Sequence, residues 1–309
     1  MNRSSLFPVA LALAGSLALA LQPARAADAA DPDPCSQPGP AWLGACRLLP
    51  YETNAIVHRS ATGDDSALRG DFSLRYVAWA SDGALRTIDH PVRLEPGAEA
   101  FISYTGEFDY YMLSRPSSPV VNRISNPALH LRWYAQGPML DWVDFGLEHS
   151  SDGQTIGSRS ERDIARAQEE YAAGNHRYFD GISRSMNFVS GEAAFGNEES
   201  VLVRTRVKYF ATTDSDITWG PLAGTNTSFR DYDRYRLIVE HRFGDLALAD
   251  VTYRAGDRGF ATDSVDVGLS LDQSHALPLY LRLHSGPMAT LSDYTRSQRM
   301  IAVGLRFSE

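Results

Sequence analysis

A histidine and a serine, two positions apart, end an alternating stretch of the sequence. Successive side chains of a β-strand point to opposite faces, so residues at a spacing of two share a face. The face shared by His149 and Ser151 is otherwise apolar: Val143, Phe145 and Leu147. A serine activated by a neighbouring histidine base is a common arrangement for ester hydrolysis. The pair by itself is a weak motif for catalysis, but its place on an apolar face is expected if that face meets lipid and the substrate is a lipid.

Alternation of apolar and polar residues recurs along most of the chain. It is clear at 201–209, 235–243, 265–271, 277–283 and 301–307, and weaker at 71–79, 98–105 and 128–135. A soluble β-sandwich also alternates. The polar faces here carry many arginines, which suit an enclosed hydrated interior, and the last segment reaches Phe307, close to the end of the sequence. These features favour an all-β transmembrane barrel, apolar outside and polar inside.

The N-terminal segment has the features of a secretory signal. Arg3 precedes an apolar stretch at 7–21, and Ala24-Arg25-Ala26 is a small-x-small cleavage site. The apolar stretch is too short to span a bilayer, so we expect cleavage. The predicted organisation is a signal peptide at residues 1–26, a periplasmic lead-in at residues 27–46, and a barrel domain at residues 47–309.

Charge and cysteine content limit the partners and the compartment. The formal net charge is −9, and no run of basic residues is present, so nucleic acid is not an expected partner. Cys35 and Cys46 are the only cysteines. In an oxidising periplasm they would most simply pair, although the sequence leaves their oxidation state open.

One segment departs from the β pattern. Ser160-Glu161-Arg162-Asp163 resembles a capping box, and the helix-favouring residues that follow end at Gly174. We predict a short helix in a long loop. The loop also contains two Ser-Arg-Ser triplets, at 158–160 and 183–185.

The context of the His-Ser pair resembles outer membrane phospholipase A. That family has His-x-Ser-Asn-Gly followed by Ser-Arg-Ser-Trp-Asn, and here residues 149–154 read His-Ser-Ser-Asp-Gly-Gln while 183–187 read Ser-Arg-Ser-Met-Asn. Residues 50–54, Pro-Tyr-Glu-Thr-Asn, are similar to the Pro-Tyr-Asp-Thr-Asn of the family. Other short matches follow in family order: 103–105, 117–119, 285–286, 293–294 and 303–304. The resemblance runs from about residue 47 to the end.

This resemblance implies a twelve-stranded antiparallel barrel with its catalytic groups on the outer wall. Ser151 would be the nucleophile, His149 the general base, and Asn187 the residue that orients the imidazole. A neutral amide suits an apolar wall, where an unpaired carboxylate would be costly. The backbone N–H of Gly153 would stabilise the oxyanion.

The resemblance also implies a calcium ion and a homodimer. The matching calcium ligands are the Ser183 hydroxyl, the Gln154 backbone carbonyl and Ser117 of a second subunit, all oxygen donors of the kind that calcium favours. The implied function is a calcium-dependent phospholipase of the bacterial outer membrane with A1, A2 and lysophospholipase activity. It would act on glycerophospholipids and become active on dimerisation.

The sequence departs from the family pattern at several positions. The loop between the two motifs is longer, and Arg162 stands where the first triplet would need Asn, so we align the second triplet. Asp152 replaces Asn and Met186 replaces Trp, while Gly106 and Glu107 follow Ser-Tyr-Thr where the family has Gln. A silent channel-forming or structural barrel, and a barrel esterase or lipid A deacylase, are the alternatives. The preference for sn-1 or sn-2 esters stays open, as does the headgroup.

Overall fold

The computed structural model describes residues 48–81, 97–115, 120–135, 139–157, 160–197, 200–213, 218–225, 227–271 and 278–308. The predicted signal peptide, the lead-in with its two cysteines, and Ser117 lie outside the described residues. The boundaries of these N-terminal segments therefore stay predictions.

The described chain forms a closed antiparallel barrel. Its strands are β1 Leu48–Pro50, β2 Asn54–Ala61, β3 Ala67–Ala80, β4 Gly97–Tyr110, β5 Val120–Tyr134, β6 Leu140–Ser151, β7 Ser185–Gly196, β8 Val201–Thr213, β9 Tyr235–Arg242, β10 Ala247–Gly256, β11 Gly259–Leu271, β12 Leu279–Gly286 and β13 Gln298–Ser308. From β2 to β13 each strand pairs with its neighbour in sequence, and β13 returns to pair with β2. The predicted fold of twelve antiparallel strands is confirmed.

Alternation along the strands separates an apolar outer wall from a charged interior. Large apolar side chains are exposed on the outer wall, among them Leu74, Ile102, Leu129, Phe145, Leu147, Val207, Leu283 and Val303. Buried charged side chains line the interior, among them Arg69, Glu99, Asp144, Glu148, Glu192, Arg206 and Asp266. This order is the reverse of a soluble protein and is typical of a barrel whose wall meets lipid. Among the described residues, no helix is long and apolar enough to cross a membrane.

Ion pairs offset the cost of burying these charges. Arg69 Nε lies 2.8 Å from Asp109 Oδ1, and Arg206 pairs with Glu148. A buried charge is tolerated when it is paired and hydrogen-bonded, so the interior is a packed polar network around a central cavity of about 1050 Å³.

The Pro-Tyr-Glu-Thr-Asn segment interrupts the first strand. β1 and β2 both pair with β3, and the amide of Asn54 fills the gap between them by bonding the backbone of Ser73 at 2.8 and 3.0 Å. The interruption turns Tyr51 into the barrel, where its ring lies 5.5 Å from Phe101 and its hydroxyl lies 3.4 Å from a ring nitrogen of His130. The motif thus places polar groups in the interior, while the strands on either side of it, β1 and β2, both pair with β3.

The long connections at one end of the barrel pack together. We call residues 156–157, 160–184, 218–225, 227–232 and 287–297 the cap. It contains helix α1, Glu161–Ala172, and short 3-10 helices at His176–Gly181, Gly220–Leu222 and Phe229–Asp231. The helix prediction is confirmed: the Ser160 hydroxyl accepts the Asp163 N–H at 3.0 Å, and Gly174 takes a φ of 70° just beyond the helix.

One apolar cluster holds the cap together, and a second apolar cluster and one acidic side chain fasten the cap to the barrel. The clusters consist of Ala167, Phe179, Ile182 and Trp219, and of Met186, Phe188, Phe229, Tyr232, Leu291 and Tyr294. Asp180 binds two arginines at the ends of β4 and β5: Arg115, at 2.7 Å, and Arg123. The inserted loop therefore folds onto the barrel end as a packed structure.

Candidate active site

The catalytic candidates lie on the outer wall where β6, β7 and β8 approach the cap. His149 and Asn187 are register partners across β6 and β7, and His149 Nδ1 lies 2.9 Å from Asn187 Oδ1. Asn187 Nδ2 donates to Thr212 Oγ1 of β8 at 2.7 Å. An amide oxygen can only accept, so Nδ1 carries the imidazole proton and Nε2 is the basic nitrogen.

Ser151 ends β6 on the same face as His149. It is half-buried and pairs with Ser185 on β7 and with Ser125 on β5. Ser150, the intervening serine, is buried and faces the interior. The face assignments predicted from alternation are therefore those of the structure, and of the two serines Ser151 is the one on the same wall as His149.

The two Ser-Arg-Ser triplets have different positions in the fold. Ser158 and Arg159 lie outside the described residues, while Ser160 caps α1 and Arg162 is an exposed residue of that helix. The second triplet leads directly into β7 and so to Asn187. The alignment that uses the second triplet brings Asn187 beside His149, which the first triplet cannot do.

A tight loop follows Ser151. Gly153 has a φ of 53°, a left-handed conformation that favours glycine, and it is exposed. The Gln154 side chain donates to the backbone carbonyls of Asn122 and Asp152, each at 3.1 Å. These contacts fix the loop that carries the predicted oxyanion donor and one predicted calcium ligand.

Asp152 and Arg184 join the two ends of the inserted loop. The backbone N–H of Arg184 donates to Asp152 Oδ1 at 2.6 Å, and the backbone N–H of Asp152 donates to the Arg184 carbonyl at 3.2 Å. Asp152 is fully buried, and burial raises the pKa of its carboxyl to about 7. Its second oxygen has no hydrogen-bond partner among the described residues.

Two of the predicted calcium ligands, Gln154 and Ser183, lie on segments that are held side by side. Ile156 N–H donates to Gly181, and Ser183 N–H donates to Ile156, each at 2.8 Å. Backbone hydrogen bonds of Ile156 on one side and the Asp152–Arg184 bonds on the other thus hold the segments that carry Gln154 and Ser183. The described residues contain no cluster of three or more His, Cys, Asp or Glu side chains that could hold a metal. The predicted donors are a hydroxyl and a carbonyl, and the unpaired Asp152 oxygen adds a hard donor, so the residues fit calcium rather than a nitrogen- or sulfur-binding metal.

Charged side chains of the interior support β6 from behind. Glu148, which precedes His149, pairs with Arg206 of β8, and Arg206 also lies 3.4 Å from Glu52. Lys208 lies 2.6 Å from Asp233. Charged contacts therefore link β6 and β8 on the face opposite the candidate site.

Thr212 is the site residue that the sequence reasoning missed. The alternating face at 201–209 would place Ala211 on the wall and Thr212 inside. A register irregularity shifts the phase, and the polar partner of Asn187 then comes from β8. No signal in the sequence marks the position of that irregularity.

No protein-family model and no curated protein matches the sequence. Among solved structures, outer membrane phospholipase A from Escherichia coli, in an active-site mutant form, is 20% identical. The likeness covers 90% of this chain and 96% of that chain, with a TM-score of 0.62. The outer membrane phospholipase of Salmonella typhi, a dimer with bound calcium, is 21% identical over 85% of this chain and 92% of that one, with a TM-score of 0.61. This chain therefore has the barrel fold of the outer membrane phospholipase A structures.

Proposed function

We propose that this protein is an outer-membrane phospholipase that hydrolyses acyl esters of glycerophospholipids through Ser151, His149 and Asn187. The observation that carries the proposal is the hydrogen bond between His149 and Asn187 on the apolar wall, one alternation step from Ser151. Polar groups are costly on a lipid-facing wall, and a hydrogen-bonded histidine beside a serine is what ester hydrolysis requires.

In the proposed mechanism, Ser151 Oγ attacks the ester carbonyl while His149 Nε2 takes its proton. Nδ1–H of the resulting imidazolium donates to Asn187 Oδ1, which holds the ring in the productive orientation. The backbone N–H of Gly153 binds the oxyanion. The imidazolium then protonates the leaving glycerol oxygen, and a water activated by His149 hydrolyses the acyl-enzyme.

Calcium is proposed to bind beside this centre. The Ser183 hydroxyl, the Gln154 carbonyl and Ser117 of a second subunit would hold it, with water completing the shell. When bound, the ion supplies positive charge that stabilises the developing oxyanion. The Asp152–Arg184 pair keeps the segments that carry Gln154 and Ser183 together.

A homodimer is proposed because the outer wall has a depression suited to a partner. An open cavity of about 430 Å³ lies at Gly70, and its apolar lining is Ala55, Ile56, Phe72, Leu74, Phe108 and Phe307. Nothing lies within 4 Å of the position that a Gly70 side chain would take. The ring of Phe72 also covers Gly106, so the depression adjoins the position after Ser-Tyr-Thr, where the family resemblance puts the dimer contact.

A silent channel is the alternative that the site argues against. The interior is crossed by ion pairs, and the cap packs two apolar clusters at one end of the barrel. A hydrogen-bonded His-Asn pair on the outer wall does not contribute to conduction through a pore. A lipid A deacylase would share the serine and histidine, but the resemblance at residues 183–187 favours a phospholipase.

Fatty-acid release from phospholipid–detergent mixed micelles tests the proposal. With calcium we expect turnover, and with EDTA none. Ser151→Ala should lower the rate by several orders of magnitude, as loss of a nucleophile usually does. Ser150→Ala is the matched control, since Ser150 is the neighbouring serine and faces the interior. Near-normal turnover by Ser151→Ala would overturn the proposal, and retained heat-modifiable gel mobility would show that the barrel is folded.

A further inference from the structure

An irregularity in β8 moves one threonine onto the wall beside the candidate site. Across β7 and β8, Asn187 pairs with Thr212 and the next residue, Phe188, pairs with Phe210, so Ala211 is an additional residue on β8. This is the arrangement of a β-bulge, which shifts the alternation by one and re-aims the side chain that follows. Thr212 is consequently exposed on the wall, although strict alternation from Tyr209 would direct it inside.

The threonine hydroxyl completes the hydrogen bonds of Asn187. Oδ1 of the amide lies 2.9 Å from His149 Nδ1, and Nδ2 donates to Thr212 Oγ1 at 2.7 Å. The amide is therefore held at both ends. The three residues form a continuous line across three strands, His149 on β6, Asn187 on β7 and Thr212 on β8.

We propose that Thr212 is a positioning residue of the site, acting through Asn187. Its hydroxyl accepts the amide N–H and fixes the amide plane so that Oδ1 faces the imidazole. The proposal rests on the hydrolase function proposed above. The Thr212 side chain bonds Asn187 and acts through it, so it is not itself catalytic.

The hydrogen bond between Asn187 and Thr212 should affect the rate of the chemical step. The positive charge on the imidazole develops when Ser151 loses its proton, and Asn187 Oδ1 is then the acceptor for Nδ1–H. An amide free to rotate about its side-chain bond would spend time with its NH₂ group towards the imidazole, which cannot stabilise that charge. Loss of Thr212 should therefore lower kcat and leave KM nearly unchanged, because the interaction strengthens only along the reaction.

A hydroxyl placed on the wall for purely structural reasons is the competing explanation. Thr205 provides the matched control, since it lies on the same strand and is exposed on the same wall between Ala193 and Leu237. Valine has nearly the shape of threonine and cannot accept a hydrogen bond. A structural role would make Thr212→Val and Thr205→Val equivalent.

Steady-state hydrolysis by the full-length, calcium-loaded protein in mixed micelles provides the test. We expect Thr212→Val to lower kcat roughly tenfold to a hundredfold, because an Asn187 amide that is no longer fixed loses much of its hydrogen bond to the imidazole, the group that becomes charged. Thr212→Ser should restore most of the rate, and Thr205→Val should resemble the unmodified protein. In an Asn187→Ala background, Thr212→Val should have no further effect, because both changes remove the same interaction.

Three results would overturn the proposal. These are an unchanged kcat for Thr212→Val, an equal loss for Thr205→Val, and a full additional loss when Thr212→Val is combined with Asn187→Ala. If Thr212→Val fails to fold, kcat of Thr212→Ala provides the same test. Failure of the hydrolase proposal itself is distinguished by Ser151→Ala, which would then retain activity.

Discussion

The backbone of Arg184 and the carboxylate of Asp152 bind each other where the inserted loop leaves and rejoins the barrel. The whole segment that carries α1 lies between these two residues. Its length therefore has little effect on the spacing of β6 and β7, since the loop ends are already held together. The buried Arg184 guanidinium lies 5.4 Å from the ring of Trp219 and 5.2 Å from that of Tyr294, so the same residue also connects the loop to the rest of the cap.

The hydrogen bonds between Asp152 and Arg184 predict different effects for two substitutions at Asp152. Asp152→Asn keeps an oxygen that can accept the Arg184 N–H, so activity should stay within a few-fold of the unmodified protein. Asp152→Ala removes the acceptor and leaves a buried N–H unpaired, which costs about 1–3 kcal/mol. We expect at least a tenfold loss of fatty-acid release in saturating calcium. Equal activities for the two variants would show that the hydrogen bond does not hold the site.

The choice between the two triplets can be tested at Asn187 and Arg162. Asn187→Ala removes the hydrogen-bond partner of His149 and should lower turnover by on the order of a hundredfold or more. Arg162→Ala changes an exposed side chain of α1 and should have little effect. Ser160→Ala should cost about 1 kcal/mol of helix stability through loss of its cap, with turnover retained. Greater loss at Arg162 than at Asn187 would mean that the wrong triplet has been aligned.

Much of this architecture could be predicted from residue alternation. A period of two fixed the outward faces of His149 and Ser151, the inward face of Arg206 and the barrel class, because lipid and an enclosed interior select opposite side chains. The pairing of Asn187 with His149 was reached through the family resemblance. Strands β3, β4 and β5 extend beyond the segments predicted for them, because pairing between neighbouring strands continues past the residues used for the prediction.

Two irregularities in strand pairing could not be predicted. The break after Pro50 and the extra residue at Ala211 each change which side chains face inward, and both depend on contacts made across strands. The ion pairs of the cap could not be predicted either. In the sequence Asp180 is an ordinary acidic residue of a loop, and its ion pairs with Arg115 and Arg123 form only in the folded chain.

Asp293 in the cap predicts a pH dependence of stability. It is buried and lies 2.5 Å from Arg296, and burial raises the pKa of its carboxyl to about 7. Between about pH 4 and pH 7 the folded state then binds a proton that the unfolded state has lost, so the free energy of unfolding falls as pH rises. Urea unfolding in micelles should show lower stability at pH 8 than at pH 5.

The contribution of Asp293 to that slope can be isolated by substitution. Asp293→Asn should raise stability at pH 8 by about 1–3 kcal/mol and flatten the slope, since each pKa unit corresponds to about 1.4 kcal/mol. Asp263, an acid of β11 that is only half-buried, provides a control as Asp263→Asn. An unchanged slope in Asp293→Asn would assign the pH dependence to other groups, Asp152 being the first to examine.

The depression at Gly70 predicts a variant that blocks assembly. Gly70→Leu adds a side chain where nothing lies within 4 Å, so the barrel should fold normally while the depression is filled. Gly191→Leu is the matched control, because Gly191 lies on the wall of β7 and also has nothing within 4 Å. Crosslinking in detergent should show fewer dimers for Gly70→Leu alone. Equal crosslinking of both variants would place the dimer contact elsewhere on the wall.

Calcium and assembly should depend on each other if one ion takes ligands from two subunits. Ser183 and Gln154 belong to the loop beside Ser151, and Ser117 would come from the partner, so binding of the ion favours the dimer and the dimer favours binding. We expect calcium to raise the crosslinked fraction, EDTA to abolish turnover, and Ser183→Ala to raise the calcium concentration for half-maximal activity. Ser185→Ala is a suitable control, since Ser185 is the other serine of the triplet. A fully active protein that stays monomeric at every calcium concentration would contradict the shared site and leave the roles of His149 and Ser151 unaffected.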